Sequence, residues 1–235
     1  MTLPVHDSDA HFLSYFAAAT WLRAWIRADG PAALRPVGET EYVVAQAKQA
    51  RKREAPGKPP ILGIVSHADL TLGAAVVDVL EAHQESAEGL LRGIRHSTAF
   101  YPDPPAVDRY AGRVAELMLQ PSFREGFAQL SSAGLSYDAW LLHTQITELT
   151  DLARAFPDTM IILDHFGGPL GIGPYSGKQA ELFPQWKADI VELARCENVV
   201  AKLGGLAMVI NGWGWDEREK PPTSDEICAT HRDYY

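Results

Sequence analysis

The residues of this chain with the greatest chemical capacity come at the ends of apolar runs. ILGIVS (61–66) is followed by His67-Ala68-Asp69, GLLRGI by Arg95-His96, and SYDAWLL by His143. IILDHFGGP (161–169) passes through Asp164 and His165 into Gly-Gly-Pro, and VVAKLGG carries Lys202. His143 and His165 stand one strand–helix unit apart. If they end neighbouring strands, which lie about 5 Å apart, they could share a cation or flank a substrate carbonyl. Each could instead be a histidine hydrogen-bonded near the core. Arg95 offers a guanidinium fork for a carboxylate, or one arm of a salt bridge between loops. Lys202 reads as a cation turned to the same region, or as part of a close backbone approach at Gly204-Gly205. His67 is a further candidate, and Asp69 suits the cap of a helix from Leu70 onward. Asp164 is expected to face away from His165, because successive strand residues point to opposite sides, and to anchor a helix N-terminus or a neighbouring strand.

These positions need a scaffold, and the chain provides an alternation. Helical spacing in GETEYVVAQAKQARKR precedes the ILGIVS strand, and LGAAVVDVLEAHQESA precedes the strand in GLLRGIRHS. GRVAELMLQPSFREGFAQLSSAG reads as one helix interrupted by Pro121, or as two. SYDAWLLHTQ, TMIILDHFGG and VVAKLGGLAM follow as strands, separated by the helices ITELTDLARAFPD and LFPQWKADIVELARCEN. Strands alternating with helices specify βαβ units and a parallel sheet covered by helices. A closed barrel and an open doubly wound sheet both satisfy that pattern. Polar groups at the end of every strand favour a barrel mouth, where all strands deliver to one face.

At 235 residues the chain fits a single domain, taken as 1–235, with ordinary hydrophobic (46%) and charged (22%) content. A net charge of −9 argues against a nucleic-acid surface. The basic cluster Lys48, Arg51, Lys52, Arg53 and Lys58 reads as the solvated end of a helix. Cys196 and Cys228 stand far apart in no paired motif, which suits a reducing compartment. Phe12 to Ile26 is apolar but holds Arg23 and is too short to span a bilayer, and HDSDAH before it is no secretory leader. The expectation is a cytoplasmic protein with a small-molecule substrate, no membrane or nucleic-acid partner, and room for a homo-oligomer. GIGPYSG (171–177) lacks dinucleotide-loop spacing and reads as a loop; neither a P-loop nor a G-x-S-x-G elbow occurs.

With those residues in place, the chain resembles the amidohydrolase-related family of TIM-barrel hydrolases, decarboxylases and lactonases. The likeness rests on GIVSHADLTLG, RGIRHS, LLHTQITELTDLARAFPDTMIILDHFGGP and NVVAKLGGLAM, and runs from about RADGP to the C-terminus. It implies a (β/α)8 fold in which His143 and His165 are the fifth- and sixth-strand histidines that bind metal or polarise the scissile group. It implies Arg95 as a substrate-binding arginine. Two parts of the family pattern differ: a first-strand His-x-His is replaced by His6 and His11 in HDSDAH, and the aspartate strand of the family's C-terminal end has no counterpart before HRDYY. The expectation is therefore an incomplete barrel, its first strand altered, its last absent, with an exposed edge beside VVAKLGGLAM. Its expected activity is hydrolysis of a small carboxylate-bearing amide, ester or lactone by activated water. His143 and His165 would be catalytic, and would hold a divalent cation such as zinc if one is bound; Arg95, His67 and Lys202 would bind substrate. The alternative is a metal-free, inactive barrel that only binds a small acidic ligand.

Overall fold

The computed structural model describes residues 30–52, 61–101 and 114–235. His6, His11, the apolar segment 12–26, Arg53 and Lys58 lie outside the described residues. Five strands form one parallel sheet in chain order: β1 (Ile64–Ser66), β2 (Leu91–Ile94), β3 (Ser136–Ala139), β4 (Ile161–Leu163) and β5 (Val199–Ala201). Helices α1 (Val37–Lys52), α2 (Val76–Ala87), α3 (Pro121–Ser132), α4 (Ile146–Ala155) and α5 (Gln179–Leu193) alternate with them, and α6 (Ser224–His231) follows. This is the α/β order expected of consecutive barrel units. Among the described residues β5 pairs only with β4, and Val200 (49% exposed) and Leu203 (74%) lie along that open side.

One face of the sheet carries the core. Ile94, Tyr137, Ala139, Ile161 and Leu163 turn towards the helices and pack with Phe123, Phe127, Leu149, Leu152 and Trp186. Tyr137 meets Phe127 edge-on at 5.1 Å between ring centres. Full burial of such rings contributes roughly 2–3 kcal/mol each. Pro121 opens α3 instead of kinking a longer helix, because its missing N–H has no partner in a first turn anyway. Asp69 caps the turn beginning at Leu70 by accepting from the Thr71 N–H at 3.0 Å, as the sequence suggested.

The opposite face positions polar groups. Tyr137 pairs with Ile161 and Asp138 with Ile162, and Ile162 with Val200. Alternation then places Asp138, Ile162, Asp164, Val200 and Lys202 on one side. The ladder continues past the strand ends, with the Asp164 N–H on the Ala139 carbonyl (3.1 Å) and the Lys202 N–H on Leu163 (3.0 Å). α1 is docked on the carboxyl end of β1 by a directional chain. The His83 Nε2–H donates to the His67 carbonyl (2.9 Å), so its Nδ1 accepts from the Thr40 hydroxyl (2.8 Å), which itself accepts from Ser66 (2.7 Å). No described helix is long and apolar enough to cross a membrane.

Gly126 lies where α3 crosses the Leu70 turn, and a Cβ there would stand 2.1 Å from the Leu70 carbonyl oxygen. Glycine-to-alanine exchange inside a helix ordinarily stabilises by about 1 kcal/mol. Here Gly126→Ala is expected to destabilise by about 1–3 kcal/mol through overpacking against backbone; unchanged or raised stability in urea unfolding would refute this contact.

Candidate active site

Four charged side chains from four successive strands meet on the inner face. The Arg95 Nη2 donates to Asp138 Oδ2 at 2.9 Å and lies 2.9 Å from Asp164 Oδ2. The Lys202 Nζ donates to the same Asp138 oxygen at 2.5 Å and lies 3.0 Å from Asp164 Oδ1. Both carboxylates are fully buried, the Arg95 side chain is 10% exposed, and that of Lys202 is 34% exposed. Two negative charges sealed from water demand two positive ones, since an unpaired buried charge costs several kcal/mol. Among the described residues the box pairs these two carboxylates with two cations, and Lys202 is the more accessible of the cations.

Asp164 faces inward, contrary to the expectation that it would turn away from the mouth. Strand alternation holds through Asp164 but stops there. His165 (φ 51°), Phe166 (φ 53°), Gly167 (φ 69°) and Gly168 (φ 52°) form a run of left-handed residues. For the two non-glycine residues that conformation costs roughly 1–2 kcal/mol each. It persists because its surroundings hold it: the Trp186 indole N–H donates to the Phe166 carbonyl at 2.9 Å, and Phe166 packs on Tyr235. At Gly168 a Cβ would be 2.6 Å from the Leu141 carbonyl oxygen, so only glycine fits. The turn swings the His165 ring against Trp140, 5.1 Å between centres and near-perpendicular. Strain of this kind concentrates at functional sites.

The His165 imidazole is held below its ordinary range chiefly by burial; Asp164 opposes this, while Arg95 and Lys202 reinforce it. Burial thus favours its neutral form, and the Gly204 backbone works the other way. His143 is also lowered by burial. It does not end β3: the strand stops at Ala139, and His143 opens a short turn whose ring packs on Tyr175. Its Nδ1 accepts from the Leu170 N–H at 3.2 Å, so the neutral ring carries its proton on Nε2. His67 is exposed and donates from Nδ1 to the Arg95 carbonyl at 2.9 Å. Arg95 and Lys202 thus come together with His165 in their field, while His67 touches Arg95 by its backbone and His143 has a separate set of neighbours.

An apolar cluster of Ala99, Tyr101, Trp140, Leu142, Leu170 and Ile210 borders this mouth. Its loops are sewn together by two buried amides. Gln145 accepts from the Phe100 N–H (2.9 Å) and donates to the Thr98 carbonyl (2.8 Å). Asn211 donates to the Pro169 carbonyl (2.7 Å) and accepts from the Met208 N–H (2.9 Å). Sequence reading missed Asp138, whose facing only the strand register reveals, and Glu39, which lies beside the Thr40 dock. Burial pushes the Glu39 carboxyl up to about 7, against the opposing pull of Arg95.

No group of three or more His, Cys, Asp or Glu able to hold a metal ion occurs among the described residues. With Nδ1 engaged, His143 could ligate only through Nε2 and after losing its proton. The described donors therefore do not by themselves fit a metal centre.

Comparison with known proteins bears on the family. Residues 7–231 match the family model described as Amidohydrolase. An uncharacterized protein, y4mH, of Sinorhizobium fredii is 34% identical over 194 residues, covering 83% of this chain and 58% of y4mH. Two crystal structures of an amidohydrolase from Burkholderia multivorans, one with bound HEPES and one with bound zinc, share the fold at 21% identity, with TM-scores of 0.60 and 0.58. Each covers 83% of this chain, which spans 58% of theirs.

Two outcomes are expected from the site geometry. A Cβ at Gly205 (φ 84°) would lie 2.2 Å from His165 Nδ1, whereas one at Gly204 would meet nothing within 4 Å. Gly205→Ala should lower stability by about 1–3 kcal/mol and Gly204→Ala by much less; equal melting temperatures would disprove the approach. Glu39 concerns pH. Its folded value is raised from 4.5 to about 7, so its stabilising share is present below pH 4.5 and lost as pH rises through 7. Relative to wild type, Glu39→Gln should gain about 1–3 kcal/mol at pH 8 and nothing near pH 4. Denaturant titrations at both pH values decide it, and a pH-independent difference counts against burial as the cause.

Proposed function

Because this chain belongs to the amidohydrolase family, we propose that it is a hydrolase cleaving a small carboxylate-bearing amide, ester or lactone with activated water. The observation that carries the reading is the Arg95–Lys202 cation pair beside a neutral, backbone-strained His165 at the carboxyl ends of parallel strands. In parallel α/β folds ligands bind at that end. A substrate carboxylate would face Lys202, backed by Arg95, and its apolar part would lie on the Trp140–Leu170–Ile210 cluster. His67, next to the Arg95 backbone, would border the same ligand.

Chemistry follows from the protonation states. Neutral His165, with Nδ1 turned to the Gly204-Gly205 backbone, has Nε2 to accept a proton from water as its oxygen attacks the carbonyl carbon. His143, with its proton on Nε2, would donate a hydrogen bond to the oxyanion that forms. Collapse breaks the C–N or C–O bond, and His165 returns the proton to the leaving group. Zinc is bound by the Burkholderia multivorans relative, and a divalent cation in this protein would add Lewis acidity. Since the described donors do not fit a metal centre, no step is routed through one. The setting that suits this reading is the cytoplasm, with both cysteines free.

The test is turnover on a panel of lactones, esters and amides with and without a carboxylate. His165→Ala should lower kcat at least about 100-fold, and Lys202→Met should raise KM about tenfold for carboxylate-bearing members only. Carboxylate binding with no turnover on any panel member would replace the hydrolase reading with that of a ligand-binding barrel.

A further inference from the structure

The box has an asymmetry that the proposed hydrolysis does not use. Asp138 Oδ2 receives hydrogen bonds from both Arg95 Nη2 (2.9 Å) and Lys202 Nζ (2.5 Å), whereas Asp164 presents a different oxygen to each cation. One buried oxygen thus anchors both positive groups of the mouth. With Asp164 it offsets part of their charge. Lys202 directly follows β5, the strand at the open side of the described sheet, and a third of its side chain is exposed. The Arg95 side chain is only 10% exposed.

We propose that Asp138 is a positioning residue that sets the anion affinity of the mouth, by fixing the Arg95 guanidinium and the Lys202 ammonium on one oxygen and cancelling part of their charge. This rests on the reading of the mouth as a carboxylate site. The ligand class is a small organic carboxylate. Asp138 never touches it: it decides how strongly the two cations attract it, and keeps them too well satisfied to bind every passing anion tightly. In the intact box an arriving carboxylate competes with two resident ones for Lys202. The result is a site of moderate affinity, matched to release of a carboxylate product.

The opposite charges of the box make the consequence directional. Removing one negative charge makes the mouth more positive, and removing one positive charge makes it more negative. At separations of about 7 Å and an effective dielectric of a few tens, a unit charge changes affinity by about tenfold. The probe is succinate, titrated calorimetrically in low-salt buffer at pH 7. Asp138→Asn should bind it about tenfold more tightly than wild type, and Lys202→Met about tenfold more weakly. Lys202→Arg, which keeps the charge, should stay within about threefold of wild type. Should Asp138→Asn fail to fold by circular dichroism, Asp164→Asn removes the other carboxylate and must show the same sign.

Opposed shifts support the proposal. Parallel losses in the aspartate and lysine variants overturn it, since a merely structural box weakens binding whichever member is removed. No succinate binding by wild type or Asp138→Asn overturns it as well. The readout needs no turnover. Opposed shifts in a protein inert on every ester and lactone would sink the hydrolase reading alone; hydrolysis without opposed shifts would sink this one alone.

Discussion

Two carboxylates without water organise the functional half of this molecule. Asp138 and Asp164 are fully buried at the ends of adjacent strands, and neither can remain ionised there without a cation in contact. The four-way contact ties β2, β3, β4 and β5 together at their carboxyl ends by charge rather than by apolar packing. On the other face of the same strands Tyr137, Ile161 and Leu163 are locked into the helical layer. Alternation makes the two faces interdependent. A register slip of one residue would bury charge among Phe123 and Phe127 and turn Tyr137 into the mouth.

The left-handed turn after β4 is the second constraint. Asp164 and His165 are neighbours in sequence, yet both serve the mouth, which strand geometry alone forbids. Reversing the backbone hand directly after Asp164 resolves this, at a conformational cost met by the Trp186 hydrogen bond and by two glycines that follow. Gly205 supplies the remaining space, since any side chain there would occupy the volume of the His165 ring. The glycines of HFGGP and KLGGL therefore belong to one device, though they come from different strands.

This explains what the sequence made legible. Runs such as TMIILDHFGG and VVAKLGGLAM announce interior strands because apolar residues stop abruptly at Gly, and all five strands form where such runs stand. Lys202 and Arg95 could be read as mouth residues because a cation ending an apolar run has few other uses. Asp138 could not, because DAWLL after SY looks like an ordinary strand until its register partners are known. The facing of Asp164 was misread for a local reason: periodicity says nothing about the residue at which a strand turns left-handed. His143 was displaced for a similar reason, since AWLLHTQ continues the apolar run for several residues after the ladder has ended at Ala139. Those residues go instead into the mouth cluster, where Trp140 and Leu142 are buried.

The same charges decide how the proposed hydrolysis would handle protons with few described acids. A buried histidine beside two cations is a weak base in its resting state, and burial makes His143 reluctant to be charged as well. An incoming carboxylate changes that balance. In the proposed function, it would add a negative charge near Lys202, offset the field that disfavours imidazolium at His165, and so make the ring a better base once ligand is present. In the proposed hydrolysis, charge on the substrate would contribute twice, first to binding and then to the readiness of His165 to activate water. A neutral analogue of equal shape would forgo both.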